Sequence, residues 1–363
     1  MGNLPVPHTP PRPRAAGRPV RERLRVAVLA GGRSSEHAIS LASAQSVLEA
    51  LDPERYEATT IEIARDGRWQ LTSGPKPLAG PDPTAATAPV ATLPVIADST
   101  PAAALGRIDV VLPILHGPFG EDGTVQGLLE LAGVPYVGAG VAASALCMDK
   151  DLFKAVLRDR GIPVARNVTL RDGDASDHPF SYPVFVKPAR LGSSVGISKV
   201  HGPNELEDAV ALARRHDDKV LIEEFVTGTE VECGVLGNRD PVASAVGEIV
   251  AHAEWYDYAA KYDEGGMDLI VPARISPETA EEVRRLAVES FVATECEGMA
   301  RIDLFVRPDD EVVVNEINTI PGFTSTSVYA KLFEASGVPY GDLLDRLIEL
   351  ALERHERRSS LLY

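Results

Sequence analysis

The segment RIDLFVRPDDEVVVNEIN (residues 301–318) alternates apolar and polar residues on both sides of two aspartates. This pattern predicts two antiparallel strands joined by a two-residue turn at Asp309 and Asp310. Asp303 then pairs with Glu316, and side chains alternate between the two faces. One face is predicted to carry Arg301, Asp303, Glu316 and Asn318. The other is predicted to carry Ile302, Leu304, Val313 and Ile317.

The predicted pairing of Asp303 with Glu316 needs a reason, because like charges directly across a strand pair are destabilising. Opposed Cβ atoms lie about 4.5–5.5 Å apart. Two carboxylates and the amide oxygen of Asn318 form an oxygen ligand set suited to a hard cation such as Mg²⁺. The alternative is a solvated acidic face in which Arg301 pairs with one carboxylate. A metal site here requires a phosphate site beside it.

The candidate phosphate site is the loop in VKPARLGSSVGISKV (186–200), since the sequence contains no Walker A or dinucleotide-binding motif. Lys187 ends a predicted strand, and residues 192–196 can bend so that N–H groups and hydroxyls converge on an anion. Because the next segment also reads as a strand, we expect a hairpin flap over a nucleotide. An ordinary turn is the alternative. Lys150, near the start of a predicted helix (148–161), supplies a second cation.

A candidate adenine slot lies in KVLIEEFVTGTEVE (219–232). Glu223 and Glu230 flank the apolar residues Phe225 and Val226. Backbone groups of such a strand can meet a base, while a carboxylate accepts hydrogen bonds from ribose hydroxyls. The alternative is an ordinary strand with acidic residues on its surface.

Composition excludes some classes of function. The chain has 363 residues and a net charge of −17, which argues against a general nucleic-acid or membrane-surface binder. Its three cysteines, Cys147, Cys233 and Cys296, show no CxxC spacing, and their odd number favours a reducing cytoplasmic location. No apolar run approaches the roughly 18 residues of a membrane span.

The order of predicted elements indicates an α/β unit followed by α+β units. RVAVLA (25–30) reads as a buried parallel strand, and two glycines and a helical pattern follow it. We expect a disordered Pro/Arg-rich extension (1–22), an N-terminal α/β domain (23–139), a Pro/Ala-rich irregular insert within it (71–105), a central unit (140–226) and a C-terminal α+β unit (227–363).

Eight motifs together carry a resemblance to a known family: AGGRSSEHAISLASA, LHGPFGEDG, MDK, VKPARLGSSVGISKV, VLIEEFVTGTE, YDYAAKY, RIDLF and NEINTIPGFTSTS. In this order the series resembles the D-alanine–D-alanine ligases of the ATP-grasp superfamily, over about residues 24–350. The resemblance implies a three-domain ATP-grasp fold with ATP between the central and C-terminal domains. It also implies that ATP phosphorylates the carboxylate of one D-alanine and that the amine of a second attacks the acyl phosphate.

The resemblance also implies roles for single residues. Glu36 would pair with the first substrate's ammonium, and Tyr262 would close over the site together with Ser193. ATP contacts are implied for Lys150, Lys187, Ser193, Glu223, Glu224, Phe225, Val226, Glu230 and Lys261. Substrate or oxyanion contacts are implied for Glu36, His116, Tyr262, Arg301, Gly322 and Ser327. The implied metal ligands are Asp303, Glu316 and Asn318, which would bind Mg²⁺ or Mn²⁺, two ions with ATP.

Two other functions stay open on these residues. The same machinery could use D-lactate or D-serine as second substrate, although Tyr262 favours D-alanine; Thr326 stands where some members have histidine. A catalytically silent nucleotide-binding protein is the alternative from another class, and the retained phosphate lysines and metal ligands argue against it. From the resemblance we expect a cytoplasmic homodimer that supplies peptidoglycan precursors and binds neither nucleic acid nor membrane.

Overall fold

The structure is a computed structural model that describes residues 23–72, 105, 108–252 and 266–362. The predicted extension over residues 1–22 lies outside the described residues, as do Lys261 and Tyr262. Within the described ranges, no helix combines the length and apolar character needed to cross a membrane.

The first sheet has four strands in the order β3-β2-β1-β4. Strand β1 is parallel to both of its neighbours, and every residue of its second half is buried, which explains its continuous apolar sequence. Residues 71 and 72 belong to β3, so the predicted irregular insert does not begin at residue 71. The elements are β1 (Leu24–Gly31), α1 (His37–Ala50), β2 (Tyr56–Ile63), β3 (Trp69–Thr72), β4 (Val110–Pro113) and α2 (Thr124–Ala132).

The second sheet is antiparallel, with strand order β5-β8-β6-β7. The glycine/serine loop joins the paired strands β6 and β7, which confirms its predicted hairpin setting. The preceding helix begins at Lys150 because the Asp149 side chain caps it, accepting from the N–H groups of Asp151 and Leu152. The elements are α3 (Val141–Met148), α4 (Lys150–Asp159), β5 (Asn167–Leu170), β6 (Val184–Pro188), β7 (Ser198–Val200), α5 (Pro203–Arg214) and β8 (Val220–Glu224).

The third sheet has five antiparallel strands in the order β11-β10-β9-β12-β13. Helix α6 covers one face, where Leu286 and Phe291 pack with Ile302 and Leu304. The elements are β9 (Thr229–Gly237), β10 (Val242–Ala251), β11 (Met267–Ile270), α6 (Pro277–Ala293), β12 (Gly298–Val306), β13 (Val312–Asn318), α7 (Val328–Ala335) and α8 (Tyr340–Ser359).

The β12–β13 hairpin pairs Asp303 with Glu316, as predicted, although its turn differs from the prediction. The strands end at Val306 and Val312, which pair with each other, so the turn is longer than two residues. The register shifts between Asp303 and Leu304, and one extra residue, Asn315, forms a bulge in β13. The longer turn and the bulge shift the strand register by equal and opposite amounts. The carboxylates of Asp303 and Glu316 therefore still lie opposite each other.

The bulge corrects one predicted face. Val313 does not lie with Ile302 and Leu304, because each residue before the bulge faces the side opposite to the expected one. It packs instead with Val226 and Ala165. Val313 therefore belongs to the apolar cluster beside the predicted adenine slot, although the predicted hairpin register placed it on the other face of the sheet.

The C-terminal helix α8 packs against the first sheet. Leu343 and Leu347 lie in one core cluster with Val26 and Val28 of β1. Arg354, which is buried, donates to the carbonyl oxygens of Gly138 and Tyr136, the latter at 2.7 Å. These contacts hold β1 and the segment after α2 against α8, and Leu236 and Met299 of the third sheet belong to the same core cluster. Residues distant in sequence are thereby brought together.

Candidate active site

The glycine/serine loop contacts the start of α1. Ser193 donates a hydrogen bond from Oγ to Oε1 of Glu36, which is buried. Ser193 and Ser194 have φ values of 52° and 57°, a left-handed conformation that non-glycine residues rarely adopt. The loop is therefore held in one defined conformation with its hydroxyl on the predicted ammonium-binding glutamate.

His116 is buried where the loop after β4 meets the segment after β13. Its Nδ1 lies 3.0 Å from the carbonyl oxygen of Ile320, and a carbonyl accepts only from a protonated ring nitrogen, so Nε2 is the acceptor of the neutral ring. Burial lowers the pKa of His116, against the opposing charge of Glu36, and favours that neutral form. Nε2 makes no hydrogen bond within the described part of the chain. It can accept an N–H from a substrate ammonium.

Lys150 joins the predicted phosphate and metal sites. Its Nζ lies 2.6 Å from Oε1 of Glu316 and donates to the carbonyl oxygen of Leu191 at 2.9 Å. Leu191 directly precedes the glycine/serine loop. The predicted phosphate lysine, the predicted phosphate loop and one predicted metal ligand therefore lie together.

Arg301 pairs with Asp303. Nε of Arg301 lies 2.7 Å from Oδ1, and Nη2 lies 2.8 Å from Oδ2. Asn318 also donates to Oδ2, at 3.0 Å. Asp303 is buried, and a buried carboxylate requires cationic or hydrogen-bonding partners, which Arg301 and Asn318 supply in this structure.

The residues fit a divalent cation by their donor chemistry. Within residues 23–72, 105, 108–252 and 266–362, no three His, Cys, Asp or Glu side chains form a ready metal site. Asp303 and Glu316 instead face each other across one strand pair, each neutralised by a cationic side chain. Asp303 and Glu316 would offer carboxylate oxygens to a hard cation that displaced Lys150 and Arg301.

Lys187 belongs to a buried network that includes one residue missed from the sequence. Its Nζ lies 2.6 Å from Oε1 of Glu223, and Lys154 binds the other carboxylate oxygen. Lys154 is fully buried, and desolvation lowers its pKa. Its position in α4, between the buried apolar residues Phe153 and Leu157, is the feature of the sequence that could have indicated its burial.

The predicted adenine slot lies at the end of β8. Val226 is buried, whereas Phe225 is 38% exposed. The ring centroids of Phe225 and Phe185 lie 6.0 Å apart. The Glu224 carboxylate lies 2.6 Å from Nη2 of Arg166. An exposed aromatic ring beside a buried apolar residue suits a flat aromatic ligand. Glu230 is the second residue of β9, where it pairs with Ile249 and Phe305.

Two further carboxylates at the site were not assigned from the sequence. Glu121 accepts from the N–H of Gly117 at 2.8 Å, and burial, followed by the charge of Glu36, raises its pKa to about 8. Glu232 pairs with Asp303 from β9, and its Oε2 lies 2.9 Å from Nε of Arg301. Two features of the sequence could have identified them: Glu121 is an acidic residue within LHGPFGEDG, and Glu232 belongs to the polar/apolar alternation of TEVE (229–232).

Gly322 and Ser327 lie side by side at the start of α7. A Cβ on Gly322 would lie 3.4 Å from Oγ of Ser327. That Oγ accepts from the N–H of Thr324 at 3.0 Å, which fixes the hydroxyl at the helix N-terminus. A hydroxyl and free N–H groups at a helix start suit a carboxylate.

The three-sheet fold and this set of phosphate, acid and arginine sites define the chain as an ATP-grasp ligase. Family models support the class: "D-ala D-ala ligase N-terminus" matches residues 25–139 and "D-ala D-ala ligase C-terminus" matches residues 156–349. The chain belongs to the D-alanine–D-alanine ligase family.

Curated relatives agree over nearly the whole chain. A D-alanine–D-alanine ligase of Mycobacterium sp. (strain KMS) is 49% identical, covering 92% of this chain and 97% of the relative. D-alanine–D-alanine ligase A of Escherichia coli (strain K12) is 44% identical, covering 94% of this chain and 99% of the relative.

Solved structures agree in fold. The VanG D-Ala:D-Ser ligase of Enterococcus faecalis is 35% identical with a TM-score of 0.78, covering 91% of this chain and 100% of the other. The D-alanine–D-alanine ligase of Bacillus anthracis complexed with ATP is 27% identical with a TM-score of 0.73, covering 93% of this chain and 100% of the other.

Proposed function

We propose that the protein joins two D-alanine molecules into D-alanyl-D-alanine, with ATP converted to ADP and phosphate. The names of the relatives support this reaction, and the ATP complex of the Bacillus anthracis ligase supports the nucleotide. The observation that carries the proposal is a pair of contacts: Glu36 with Ser193, and Lys150 with Glu316. They bring the first sheet's helix, the phosphate loop, the second lysine and the metal-binding hairpin to one place.

In the first step, the carboxylate of one D-alanine attacks the γ-phosphorus of ATP, and the bond to ADP breaks. Lys150 and Lys187 are the cations available to bind the phosphates, and each exchanges its present carboxylate partner for a phosphate oxygen. Bound at Asp303, Glu316 and Asn318, two Mg²⁺ or Mn²⁺ ions would neutralise the charge on the phosphates and polarise the transferring group.

In the second step, the amine of the second D-alanine attacks the carbonyl carbon of D-alanyl phosphate, and phosphate leaves. Arg301 and the N–H of Gly322 stabilise the oxyanion that develops. Glu36 binds the ammonium of the first substrate, while Ser327 binds the carboxylate of the second. His116, neutral at Nε2, offers an acceptor for a substrate N–H.

The remaining assignments extend this proposal. We assign one domain to each sheet, with bounds of 23–139, 140–226 and 227–363, and the protein acts as a cytoplasmic homodimer that supplies peptidoglycan precursors. Lys261 and Tyr262, which lie outside the described residues, would contact ATP and substrate as the family resemblance implies.

D-Serine or D-lactate as second substrate is the alternative. The 35% identity to a D-Ala:D-Ser ligase is the observation that favours it, and Thr326 lies beside the residue proposed to bind the second substrate. The two curated relatives of higher identity are both named for D-alanine at both positions.

The experiment is a coupled assay of ADP release with Mg²⁺, ATP and each acceptor. We expect release that depends on D-alanine, and radiolabelled D-alanine recovered in the dipeptide. Absence of D-alanine-dependent release would refute the ligase. Faster formation of ester, or of the mixed dipeptide with D-serine, would refute the choice of second substrate.

A further inference from the structure

A row of three carboxylates crosses the third sheet. Asp303 of β12 pairs with Glu316 of β13 on one side and with Glu232 of β9 on the other. Opposed side chains share a face, with Cβ atoms about 5 Å apart. The proposed metal ligands account for only two of the three acids. Glu232, whose side chain is 3% exposed, has no role in the reaction as described so far.

The charge of Glu232 is matched by Arg301. Oε2 of Glu232 lies 2.9 Å from Nε of Arg301, and the arginine side chain is 17% exposed. Nε carries a single hydrogen, which it donates to Oδ1 of Asp303 at 2.7 Å. The contact with Glu232 is therefore an ion pair, and Asp303 holds the hydrogen bond.

Asp303 has two competing partners. A cation bound at Asp303 draws on the same carboxylate oxygens that Nε and Nη2 of Arg301 contact in this structure. When those oxygens turn to a metal, Arg301 loses its bidentate partner, and a long side chain without a partner gains rotamer freedom. Glu232 projects from β9, on the side of β12 opposite to Glu316 and Asn318, so the metal ligands do not compete with it.

We propose that Glu232 is a positioning residue for Arg301. It accepts the Nε hydrogen when Asp303 turns to the metal, and the terminal nitrogens of the guanidinium are then held toward the reacting carboxylate. An arginine fixed through Nε keeps its other four N–H donors in a rigid plane. This inference rests on the proposed function, because it assigns Arg301 to the oxyanion.

The chain offers a matched control on the same sheet. Glu248 of β10 is also buried and also pairs with an arginine, Arg274, whose Nη2 lies 2.5 Å from Oε1. It pairs across the strands with Val231, the neighbour of Glu232, so its side chain lies on the opposite face. Glu248→Gln makes the same chemical change at a similar depth, away from Arg301.

The experiment compares Glu232→Gln, Glu232→Asp and Glu248→Gln with the unsubstituted protein. We measure kcat, the KM for ATP, Mn²⁺ affinity by electron paramagnetic resonance and the midpoint of thermal unfolding. For Glu232→Gln we expect kcat to fall about 10- to 100-fold, the usual effect of losing a group that orients a ligand. The KM for ATP and the Mn²⁺ affinity stay within about twofold. Glu232→Asp, which keeps the charge, recovers part of kcat, and Glu248→Gln keeps it.

Three results would overturn the inference. Unchanged kcat in Glu232→Gln removes the role altogether. A fall in Mn²⁺ affinity that parallels the fall in kcat would show that Glu232 is a metal ligand. Equal losses of kcat in Glu232→Gln and Glu248→Gln would show that the effect is structural. Inactive unsubstituted protein refutes the proposed function and this inference with it, whereas active unsubstituted protein with an equally active Glu232→Gln refutes only the inference.

Discussion

The ammonium of Lys150 lies 2.6 Å from the carboxylate of Glu316, and both side chains are largely buried. Lys150 begins a helix beside the glycine/serine loop, and Glu316 lies on the hairpin that we propose binds the metal. Each provides the charge that the other requires. Both partners are expected to change when substrate binds, since phosphate replaces the carboxylate and a metal replaces the ammonium.

Lys150→Met removes the ammonium that pairs with the Glu316 carboxylate. We expect the nucleotide-free protein to lose about 1–3 kcal/mol of unfolding free energy, because the partly buried Glu316 carboxylate loses its ion pair with Lys150. The KM for ATP should rise at least about tenfold, as a phosphate contact is lost. Denaturant unfolding and steady-state kinetics measure the two effects.

Lys331→Met, an exposed position on α7, is the control and should change neither quantity. Mg²⁺ with ATP at high concentration should restore much of the lost stability of Lys150→Met by mass action. Equal stability of the variant and the unsubstituted protein without ligands would contradict the account of this ion pair.

Glu316→Gln keeps the size of the side chain but removes the charge offered to the metal. We expect turnover to fall at least about 100-fold and Mn²⁺ affinity to weaken, while circular dichroism shows an intact fold. Glu311→Gln, an exposed acid in the same hairpin, is the matched control and should retain activity. Turnover near that of the unsubstituted protein would show that the ligand assignment is wrong.

Gly196→Ala tests the conformation of the phosphate loop. Gly196 has φ +73°, and a Cβ there would lie 2.7 Å from Cδ2 of His216 and 3.0 Å from Cγ of Pro188. We expect the loop to shift, with a rise in the KM for ATP and a loss of kcat, because Ser193 leaves Glu36. Gly202→Ala has nothing within 4 Å and should behave as the unsubstituted protein; equal kinetics for the two variants would speak against a functional loop.

The raised pKa of Glu121 predicts that the stability of the protein depends on pH. Its pKa is raised to about 8, chiefly by burial and next by the charge of Glu36. A raised pKa means that the folded protein binds this proton more tightly than the unfolded chain. The stabilisation is complete below the unfolded pKa of about 4.3 and is lost as pH rises through about 8.

Glu121→Gln should therefore flatten the fall in unfolding free energy over this range. Denaturant titrations at several pH values compare the slopes of the two proteins. Identical slopes would show that Glu121 titrates as an ordinary exposed carboxyl.

The β12–β13 hairpin shows how much of a strand pairing the apolar/polar alternation of the sequence can predict. Period-two alternation predicted the pairing of Asp303 with Glu316, and that pairing is observed. It succeeded because a longer turn and the bulge at Asn315 shift the register by equal and opposite amounts. Neither feature has a signal in the local pattern, so Val313 was placed on the wrong face.

The charged network was harder to predict than the strands. Lys154 and Glu232 are invisible to motif reasoning, since their roles arise from contacts with Glu223 and Arg301 across tertiary distances. The buried strands β1 and β6 could be predicted because an apolar pattern along the sequence indicates burial directly. Which cation neutralises which buried acid depends on packing between sheets, and no spacing along the chain encodes it.

The stoichiometry of products tests the central claim most directly. Purified protein is incubated with Mg²⁺, ATP and D-alanine, and the mixture is analysed by mass spectrometry and nucleotide chromatography. We expect one D-alanyl-D-alanine, one ADP and one phosphate per turnover, with no product when D-alanine is omitted. ADP and phosphate released without the dipeptide, or no D-alanine dependence at all, would contradict the assignment of this chain as a D-alanine–D-alanine ligase.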